Sequence, residues 1–251
     1  MSNTVIIGYG FVGKATEYLL QLNGHTESLI YDPALGKLGV TADSDWSAIE
    51  YAFICVPTPE SEETNSLDLS SVIESYDMCL QNDITPIIRS TLGPDQVAQF
   101  PQAVMMPEFL REAHWKEDTN RSHSVILGGN VTPDIRMLFS KKQIVETDAV
   151  GAMMYKLSRN ALLAVKVVLA NQLSEMCDNV DADYNNLVQM LNRDNTLGHT
   201  HWDVPGPDGS YGYGGKCFPK DIAHSSSLCT DTAHNIFSYT RKLNSKMRNS
   251  K

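Results

Sequence analysis

Residues Thr4–Gly13 read TVIIGYGFVG, an apolar run followed by three glycines in the spacing GxGxxG. A helical pattern begins within these glycines and ends near Asn23 and Gly24. In a strand–turn–helix unit, this spacing lets the backbone turn tightly and lets a pyrophosphate reach the N–H groups of the helix N-terminus. The stretch predicts a Rossmann-type fold, although a glycine-rich turn without a ligand could carry the same glycines. The expected dinucleotide-binding residues are Gly8, Tyr9, Gly10, Phe11, Val12 and Gly13.

A carboxylate follows the second apolar stretch of the chain. Asp32 ends the segment SLIYD and lies nineteen residues after Gly13. An acid at this distance accepts hydrogen bonds from the adenosine ribose of a dinucleotide. Because it repels a 2′-phosphate, Asp32 favours NAD over NADP as the cofactor.

Apolar stretches alternate with helical patterns as far as residue 147. This alternation predicts an α/β domain over residues 1–148, with a doubly wound parallel sheet. Ligands bind such sheets at the carboxyl ends of the strands. Three segments follow predicted strands there, at 57–59, 90–93 and 107–112, although each is also compatible with ordinary turn chemistry. At the first two segments and at the strand end before them, we expect four further cofactor-site residues: Val56, Pro57, Thr58 and Thr91.

A helical pattern runs without interruption from Ala149 to about Asp178, which is ~45 Å at the usual rise per residue. A helix of that length needs partners along its sides. We therefore predict an all-helical domain over residues 149–251 with a long central helix, and a homodimer formed through residues 149–178. An irregular stretch at 193–216 contains two prolines and six glycines. Loops of that length in a compact domain are usually functional.

The segment Tyr211–Asp221 reads YGYGGKCFPKD and places one thiol directly after a glycine run. Pro219 suits the first turn of a helix, so Cys217 is expected at or just before a helix N-terminus. That position and the neighbouring lysines, Lys216 and Lys220, favour the thiolate form. The pattern predicts a nucleophile, with a buried and inert cysteine as the alternative.

Composition limits the classes of partner. The chain of 251 residues has 20 basic and 30 acidic residues, a net charge of −10, which argues against nucleic acid or an anionic membrane. The longest apolar run, 161–170, is too short to span a bilayer. Five cysteines without a CxxC pair argue against a disulfide framework or a zinc site. We expect a cytoplasmic protein without a signal peptide and without a metal, with His199 and His201 as solvent-exposed loop residues.

Six motifs, in order along nearly the whole chain, resemble those of the UDP-glucose/GDP-mannose dehydrogenase family: GYGFVG, CVPTP, RSTLGP, MPEFLRE, KLSRN and GYGGKCFPKD. Together they are far more specific than any one alone. The resemblance implies a four-electron oxidation of the C6 alcohol of a nucleotide sugar to the carboxylate. Two hydrides would pass in turn to two NAD molecules, and UDP-glucose is the expected substrate.

The same resemblance assigns roles to individual residues. Cys217 would add to the aldehyde to give a thiohemiacetal and then a thioester. Glu108 would serve thioester hydrolysis, with Asp221 and Thr91 positioning the water. Lys156 would stabilise the developing oxyanion, and Asn160 would hold the sugar. With Glu108, Lys156 and Asn160, the sugar site would comprise Phe109, Leu110, Tyr211, Gly212, Tyr213, Gly214 and Lys220.

Three departures from the family pattern leave the substrate open. Family members carry a C-terminal nucleotide-like domain that grips UDP, which we expect this chain to lack. Thr196 stands where relatives have the arginine of DxRIG, and Met153 replaces an acid often found three residues before the lysine. Two alternatives therefore remain: an NAD-dependent dehydrogenase of another sugar or hydroxy acid, and a non-catalytic NAD-binding remnant that needs a partner.

Overall fold

A computed structural model of the chain describes residues 3–25, 27–33, 44–59, 67–194 and 197–249. The described residues up to Lys156 form one compact unit, and those from Leu157 onward form a second. The division between the units falls inside the helix that begins at Ala149. The sequence places the domain boundary at the start of that helix, and this boundary stays a prediction.

The first unit is built on a seven-stranded sheet with the strand order β2-β1-β3-β4-β5-β6-β7. Every neighbouring pair is parallel except β5 and β6. The predicted doubly wound α/β fold is confirmed. The strands are β1 (Thr4–Ile7), β2 (Leu29–Tyr31), β3 (Tyr51–Ile54), β4 (Thr85–Ile88), β5 (Val104–Met105), β6 (Ser124–Gly128) and β7 (Gln143–Thr147).

Alternation along the strands gives the sheet two apolar faces. In β3, Ala52 and Ile54 belong to one buried cluster, whereas Tyr51 and Phe53 belong to another. Because both faces are covered, strands β1, β3 and β5 are buried throughout and read as apolar runs, whereas the edge strands β2 and β7 are partly or largely exposed. The first unit contains helices α1 (Phe11–Asn23), α2 (Ser70–Gln81), α3 (Trp115–Arg121) and α4 (Pro133–Met137).

The helical second half consists of the later part of α5 (Ala149–Asn179), followed by α6 (Tyr184–Arg193), α7 (Phe218–Ser227) and α8 (Ile236–Asn249). The predicted long helix is confirmed. Its residues Ala164 and Val168 pack with Tyr213 and Ile222 in a small core of the second unit. Among the residues that the structure describes, no helix combines the length and the apolar composition that crossing a bilayer requires.

The beginning of α5 belongs to the core of the first unit. Ala152 and Met153 are both fully buried in the apolar cluster beside the sheet. An ionised side chain at Met153 would be desolvated without a built-in partner, which is costly. The apolar residue therefore fits its surroundings.

Candidate active site

The carboxyl ends of four neighbouring parallel strands meet at one edge of the sheet. Backbone hydrogen bonds continue past the strands and fix this edge: Cys55 N–H donates to Ile7 O at 2.7 Å, and Met106 N–H donates to Ile88 O at 2.8 Å. The segments that follow β1, β3, β4 and β5 are the glycine loop, Cys55–Thr58, Ser90–Thr91 and Pro107–Leu110. The structure thus brings the predicted ligand segments of the first unit together.

The glycine loop has backbone geometry that side chains would obstruct. Gly8 has φ +87°, and a Cβ added to it would lie 2.9 Å from the Cys55 carbonyl oxygen. A Cβ at Gly13 would lie 2.2 Å from the Gly8 carbonyl oxygen, so this glycine allows α1 to pack closely against β1. A Cβ at Gly10 would meet nothing within 4 Å. Open space at Gly10 is what the approach of a pyrophosphate needs.

The N-terminus of α1 suits an anion. No side chain caps this helix, and its first turn contains no acidic residue. Its first N–H groups therefore lack intrahelical acceptors and can donate to phosphate oxygens. Asp32 lies at the same loop, where its Oδ2 accepts a hydrogen bond from Tyr9 N–H at 2.6 Å. The described residues thus fit a dinucleotide, with Asp32 placed beside the glycine loop.

Gly10 and Gly13 give a matched pair of substitutions. Gly13→Ala is expected to destabilise the fold by about 1–3 kcal/mol, because its methyl group collides with backbone. Gly10→Ala is expected to cost less than about 1 kcal/mol but to weaken dinucleotide binding by about tenfold. Denaturant unfolding and calorimetric titration with NADH measure the two effects. Equal stability of the two variants would contradict this account of the loop.

The segments that follow β3 and β4 are hydrogen-bonded to each other. Ser90 Oγ donates to the Val56 carbonyl oxygen at 2.7 Å, which holds the segment after β4 against the one after β3. Thr58 is buried, Pro57 is exposed, and Thr91 is partly exposed. These residues lie at the sheet edge as the sequence predicts, and their contact with a cofactor stays a prediction.

A buried ion pair follows β5. Lys156 Nζ, on α5, donates to Glu108 Oε1 at 2.6 Å and to the Glu108 carbonyl oxygen at 2.7 Å. Both side chains are at most 5% exposed. Leu110 N–H donates to the other carboxylate oxygen at 2.6 Å, so both oxygens of Glu108 have a donor. The Phe109 ring packs edge-on against Tyr155, with ring centroids 5.3 Å apart.

The pair fixes the protonation state of Glu108. Burial by itself raises the pKa of this carboxyl group, because desolvation disfavours its charge. The charge and hydrogen bond of Lys156, with the Leu110 N–H and the charge of Arg89, outweigh burial and hold the pKa of Glu108 below its usual value. Glu108 is therefore a carboxylate at neutral pH.

The segment PEFLRE contains two carboxylates four residues apart, Glu108 and Glu112, which a helix would place on one face. Residues 107–111 are not helical, and a short 3₁₀ turn covers Glu112–His114. Glu108 is buried in its contact with Lys156, whereas Glu112 is exposed.

A second cluster lies in the helical unit. Asn160 Nδ2 donates to Asp221 Oδ2 at 2.6 Å, and Lys220 Nζ contacts Asp221 Oδ1 at 3.1 Å. Asp221 is fully buried and Asn160 is 4% exposed. A buried carboxylate with both oxygens hydrogen-bonded is held in one orientation. The structure thus brings Asn160, Lys220 and Asp221 together, as a set of polar groups around one carboxylate.

Cys217 is the N-cap residue of α7, and Pro219 lies in the first turn, as the sequence predicts. The Cys217 carbonyl oxygen accepts the Asp221 N–H at 3.0 Å, so a backbone hydrogen bond in the first turn of α7 joins the thiol residue to the residue that carries the buried carboxylate. Cys217 is partly exposed, whereas Cys55, Cys79 and Cys177 are buried. Partial exposure is what a nucleophile needs and what the inert-cysteine alternative does not predict.

Two asparagines that the sequence analysis missed shape the glycine run before Cys217. Asn244, on α8, accepts the Tyr213 N–H at 2.7 Å and donates to the Tyr213 carbonyl oxygen at 3.1 Å. Asn171, on α5, accepts the Gly212 N–H at 3.1 Å, and Gly212 has φ +74°. Neither asparagine lies in a recognisable motif, so only the folded chain reveals them.

The tyrosines of this run have different surroundings. Tyr211 is exposed, whereas Tyr213 is buried with its ring edge-on to Phe218. Burial raises the pKa of Tyr213 to about 12. Gly214 lies against the ion pair of Arg248 with Asp208, whose atoms are 2.6 Å apart. The roles of Tyr211, Gly212, Tyr213 and Gly214 in sugar binding stay predictions.

The sequence predicts that His199 and His201 are both solvent-exposed. The prediction is correct for His199 and wrong for His201, which is partly buried with its ring centroid 5.7 Å from that of Phe218. Within the described ranges, no three His, Cys, Asp or Glu side chains come together as metal ligands. Thr196 lies outside the described residues.

Comparisons with known proteins agree with the motifs. Residues 151–246 match the central domain of the UDP-glucose/GDP-mannose dehydrogenase family. A UDP-glucose 6-dehydrogenase of Rickettsia bellii (strain RML369-C) is 27% identical in an alignment of length 276 that covers 90% of this chain. These matches agree with the family resemblance of the six motifs. The chain spans 62% of the length of the Rickettsia bellii relative.

Two solved structures share the fold. A UDP-glucose dehydrogenase from the archaeon Pyrobaculum islandicum gives a TM-score of 0.81 at 20% identity, covering 98% of this chain and 68% of that one. A UDP-D-ManNAc dehydrogenase from Pyrococcus horikoshii gives 0.78 at 20% identity, covering 97% and 68%. At these identities the likeness shows the fold and not the substrate.

Proposed function

We propose that the chain carries out the NAD-dependent, four-electron oxidation of the C6 alcohol of a nucleotide sugar, UDP-glucose to UDP-glucuronate. The observation that carries the proposal is the partly exposed Cys217 at a helix N-terminus, tied to the buried Asp221 that Asn160 and Lys220 hold. The relatives named UDP-glucose 6-dehydrogenase support the substrate class.

NAD is the proposed cofactor. The glycine loop and the α1 N-terminus would hold its pyrophosphate, and Asp32 would accept hydrogen bonds from the adenosine ribose. Asp32 also disfavours NADP, because a carboxylate repels a 2′-phosphate. When bound, the nicotinamide ring supplies the hydride acceptor.

The cysteine explains how a second oxidation becomes possible. The first loss of hydride and proton turns the alcohol into an aldehyde, whose hydride leaves only after a nucleophile has added. The Cys217 thiolate forms a C–S bond to the carbonyl carbon, and the oxyanion takes a proton to give a thiohemiacetal. Loss of a second hydride, with that proton, leaves a thioester. Attack of water then breaks the C–S bond, releases the thiolate and gives the carboxylate.

The buried side chains fit the remaining roles. As a carboxylate at neutral pH, Glu108 can accept a proton during the attack of water on the thioester. The Lys156 ammonium stabilises an oxyanion, because charge that builds up in a low-dielectric site gains most from a fixed positive group. We assign Asp221 and Thr91 to positioning the water and Asn160 to holding the sugar, following the family resemblance.

We also propose a homodimer formed through residues 149–178. Exposed apolar side chains recur along α5, among them Leu162 at 67% and Met176 at 61% exposure. Apolar surface along a helix is stabilised when another helix covers it. Sedimentation at micromolar concentration is expected to give twice the chain mass of 27.8 kDa. A monomer under these conditions would contradict the dimer.

A panel of nucleotide sugars and hydroxy acids, assayed with NAD and with NADP, tests the proposed function. We expect two NADH for each UDP-glucose consumed and a product with the mass of the carboxylate. One NADH for each molecule of another alcohol would support a simpler dehydrogenase. NAD binding without turnover of any compound would support a non-catalytic module that needs a partner.

A further inference from the structure

Asn244, on α8, is a buried amide that binds the backbone of a single residue in the glycine run before Cys217. Its side chain belongs to a residue that is 9% exposed. Its Oδ1 accepts the Tyr213 N–H at 2.7 Å, and its Nδ2 donates to the Tyr213 carbonyl oxygen at 3.1 Å. A buried amide is unfavourable unless its polar atoms are hydrogen-bonded. Here those bonds satisfy both backbone polar groups of one buried residue and fix its conformation.

Gly212 has the conformation and the space that this amide requires. Its φ is +74°, a left-handed backbone that side chains disfavour. A Cβ added to Gly212 would lie 2.4 Å from Asn244 Oδ1, so the amide occupies the room that a side chain would need. On α5, Asn171 is 6% exposed and accepts the Gly212 N–H at 3.1 Å. Buried asparagines on two helices therefore fix two adjacent residues of the run.

The fixed residues lie directly before the thiol. Tyr213 is four residues before Cys217, and its ring packs edge-on against Phe218, the first residue of α7, with centroids 6.2 Å apart. The chain is thus anchored on both sides of residues 214–216. Between these anchors Gly215 is exposed, and a Cβ added to it would meet nothing within 4 Å. The place of the thiol therefore depends on the anchor at Tyr213.

We propose that Asn244 is a positioning residue for Cys217. By holding the Tyr213 backbone, Asn244 sets the path of the chain into α7 and keeps the thiol at the helix N-terminus, where the thiolate is favoured. The proposal rests on the proposed function, in which this thiolate adds to the aldehyde carbon. Asn244 itself acts through the backbone of the glycine run and not by touching the substrate.

Alkylation of the whole chain by iodoacetamide at pH 7 tests this role without any substrate. Cys229, which is also partly exposed and follows α7, is the internal reference, and peptide mass spectrometry gives the rate at each thiol. In Asn244→Leu, we expect the rate at Cys217 relative to Cys229 to fall by about tenfold, because the thiolate fraction approaches that of a free cysteine. A general loss of stability would instead expose both thiols and raise both rates.

Ser238→Ala is the matched control. Ser238 is another buried polar residue of α8, also 9% exposed, and its Oγ donates to the Ala233 carbonyl oxygen at 2.7 Å, outside the glycine run. This variant should keep the Cys217-to-Cys229 ratio of the unmodified chain.

Turnover gives an independent measurement. A displacement of the nucleophile by about 1 Å is expected to lower acid formation by about 10²-fold in Asn244→Leu. The Kd for NADH should stay unchanged, because the proposed dinucleotide site lies in the first unit and Asn244 in the second. If Asn244→Leu does not fold, Asn171→Leu removes the acceptor of the Gly212 N–H and decides the question by the same alkylation ratio.

The outcomes separate the positioning role from the reaction. An unchanged ratio in Asn244→Leu, or an equal fall in Ser238→Ala, would overturn the positioning role even if the chain makes the carboxylate. If no nucleotide sugar is oxidised but the ratio falls in Asn244→Leu alone, the proposed function fails and the positioning of Cys217 stands.

Discussion

Replacing Cys217 with serine is expected to abolish formation of the carboxylate product. A serine hydroxyl at the same N-cap position is a far weaker nucleophile, because almost none of it is ionised at neutral pH. Loss of a catalytic nucleophile lowers turnover by roughly 10³-fold or more. The first oxidation can persist weakly, since it needs no covalent bond to the chain. Product mass and NADH absorbance, followed together, measure both steps.

Cys229→Ser is the matched control for this variant. Cys229 is also partly exposed and follows the same helix, α7, but no step of the proposed reaction uses it. We expect the control to retain the rate of acid formation. A Cys217→Ser variant that makes the full carboxylate product at the unmodified rate would contradict the covalent scheme.

Replacing Lys156 with methionine is expected to lower the free energy of unfolding by about 3–5 kcal/mol, because it leaves the buried Glu108 carboxylate without its counter-charge. The same change removes the proposed oxyanion-stabilising group, so activity should also fall. Denaturant unfolding measures the stability change. Lys166→Met on the same helix is the control, since its ammonium donates to the neutral carbonyl oxygens of Leu197 and Gly198 and faces the Trp202 ring. We expect this control to lose less than about 1.5 kcal/mol.

The pH dependence of the Lys156→Met effect follows from the pKa of Glu108. In the unmodified chain this pKa lies below its value in the unfolded chain. Glu108 therefore contributes stability above the unfolded pKa of about 4.3, and this contribution is lost as the pH falls through the folded pKa. In Lys156→Met, burial is expected to raise the pKa of Glu108, so the variant loses stability as the pH rises above about 4.3. The difference between the two chains should shrink toward acid pH, and a difference independent of pH would contradict the ion-pair explanation.

The elements that the sequence predicts well are those with local signals. Helix α1 ends at Asn23 because Gly24 adopts φ +102° and its N–H bonds to the last turn. The long helix α5 matches its predicted range almost to the residue, because no proline or glycine pair interrupts the pattern. The place of Cys217 follows in the same way from the proline two residues later.

The contacts that define the candidate site are long-range, and no local pattern reports them. Glu108 and Lys156 are 48 residues apart, and Asn160 and Asp221 are 61 apart. The motifs mark these residues through family resemblance, but a single sequence does not show which side chains meet. Asn244 lies outside all six motifs, since its importance lies in the backbone that it holds.

A covalent intermediate on Cys217 distinguishes the proposed reaction from a simpler dehydrogenase, and mass spectrometry of the quenched Glu108→Gln variant detects it. Glutamine is close in shape to glutamate but cannot accept a proton from water, so hydrolysis of the thioester should be slow. After mixing with NAD and UDP-glucose, we expect about two NADH per chain and a peptide containing Cys217 that carries the mass of the sugar-nucleotide acyl group. If the variant reduces NAD but no adduct is found on Cys217, the account is contradicted.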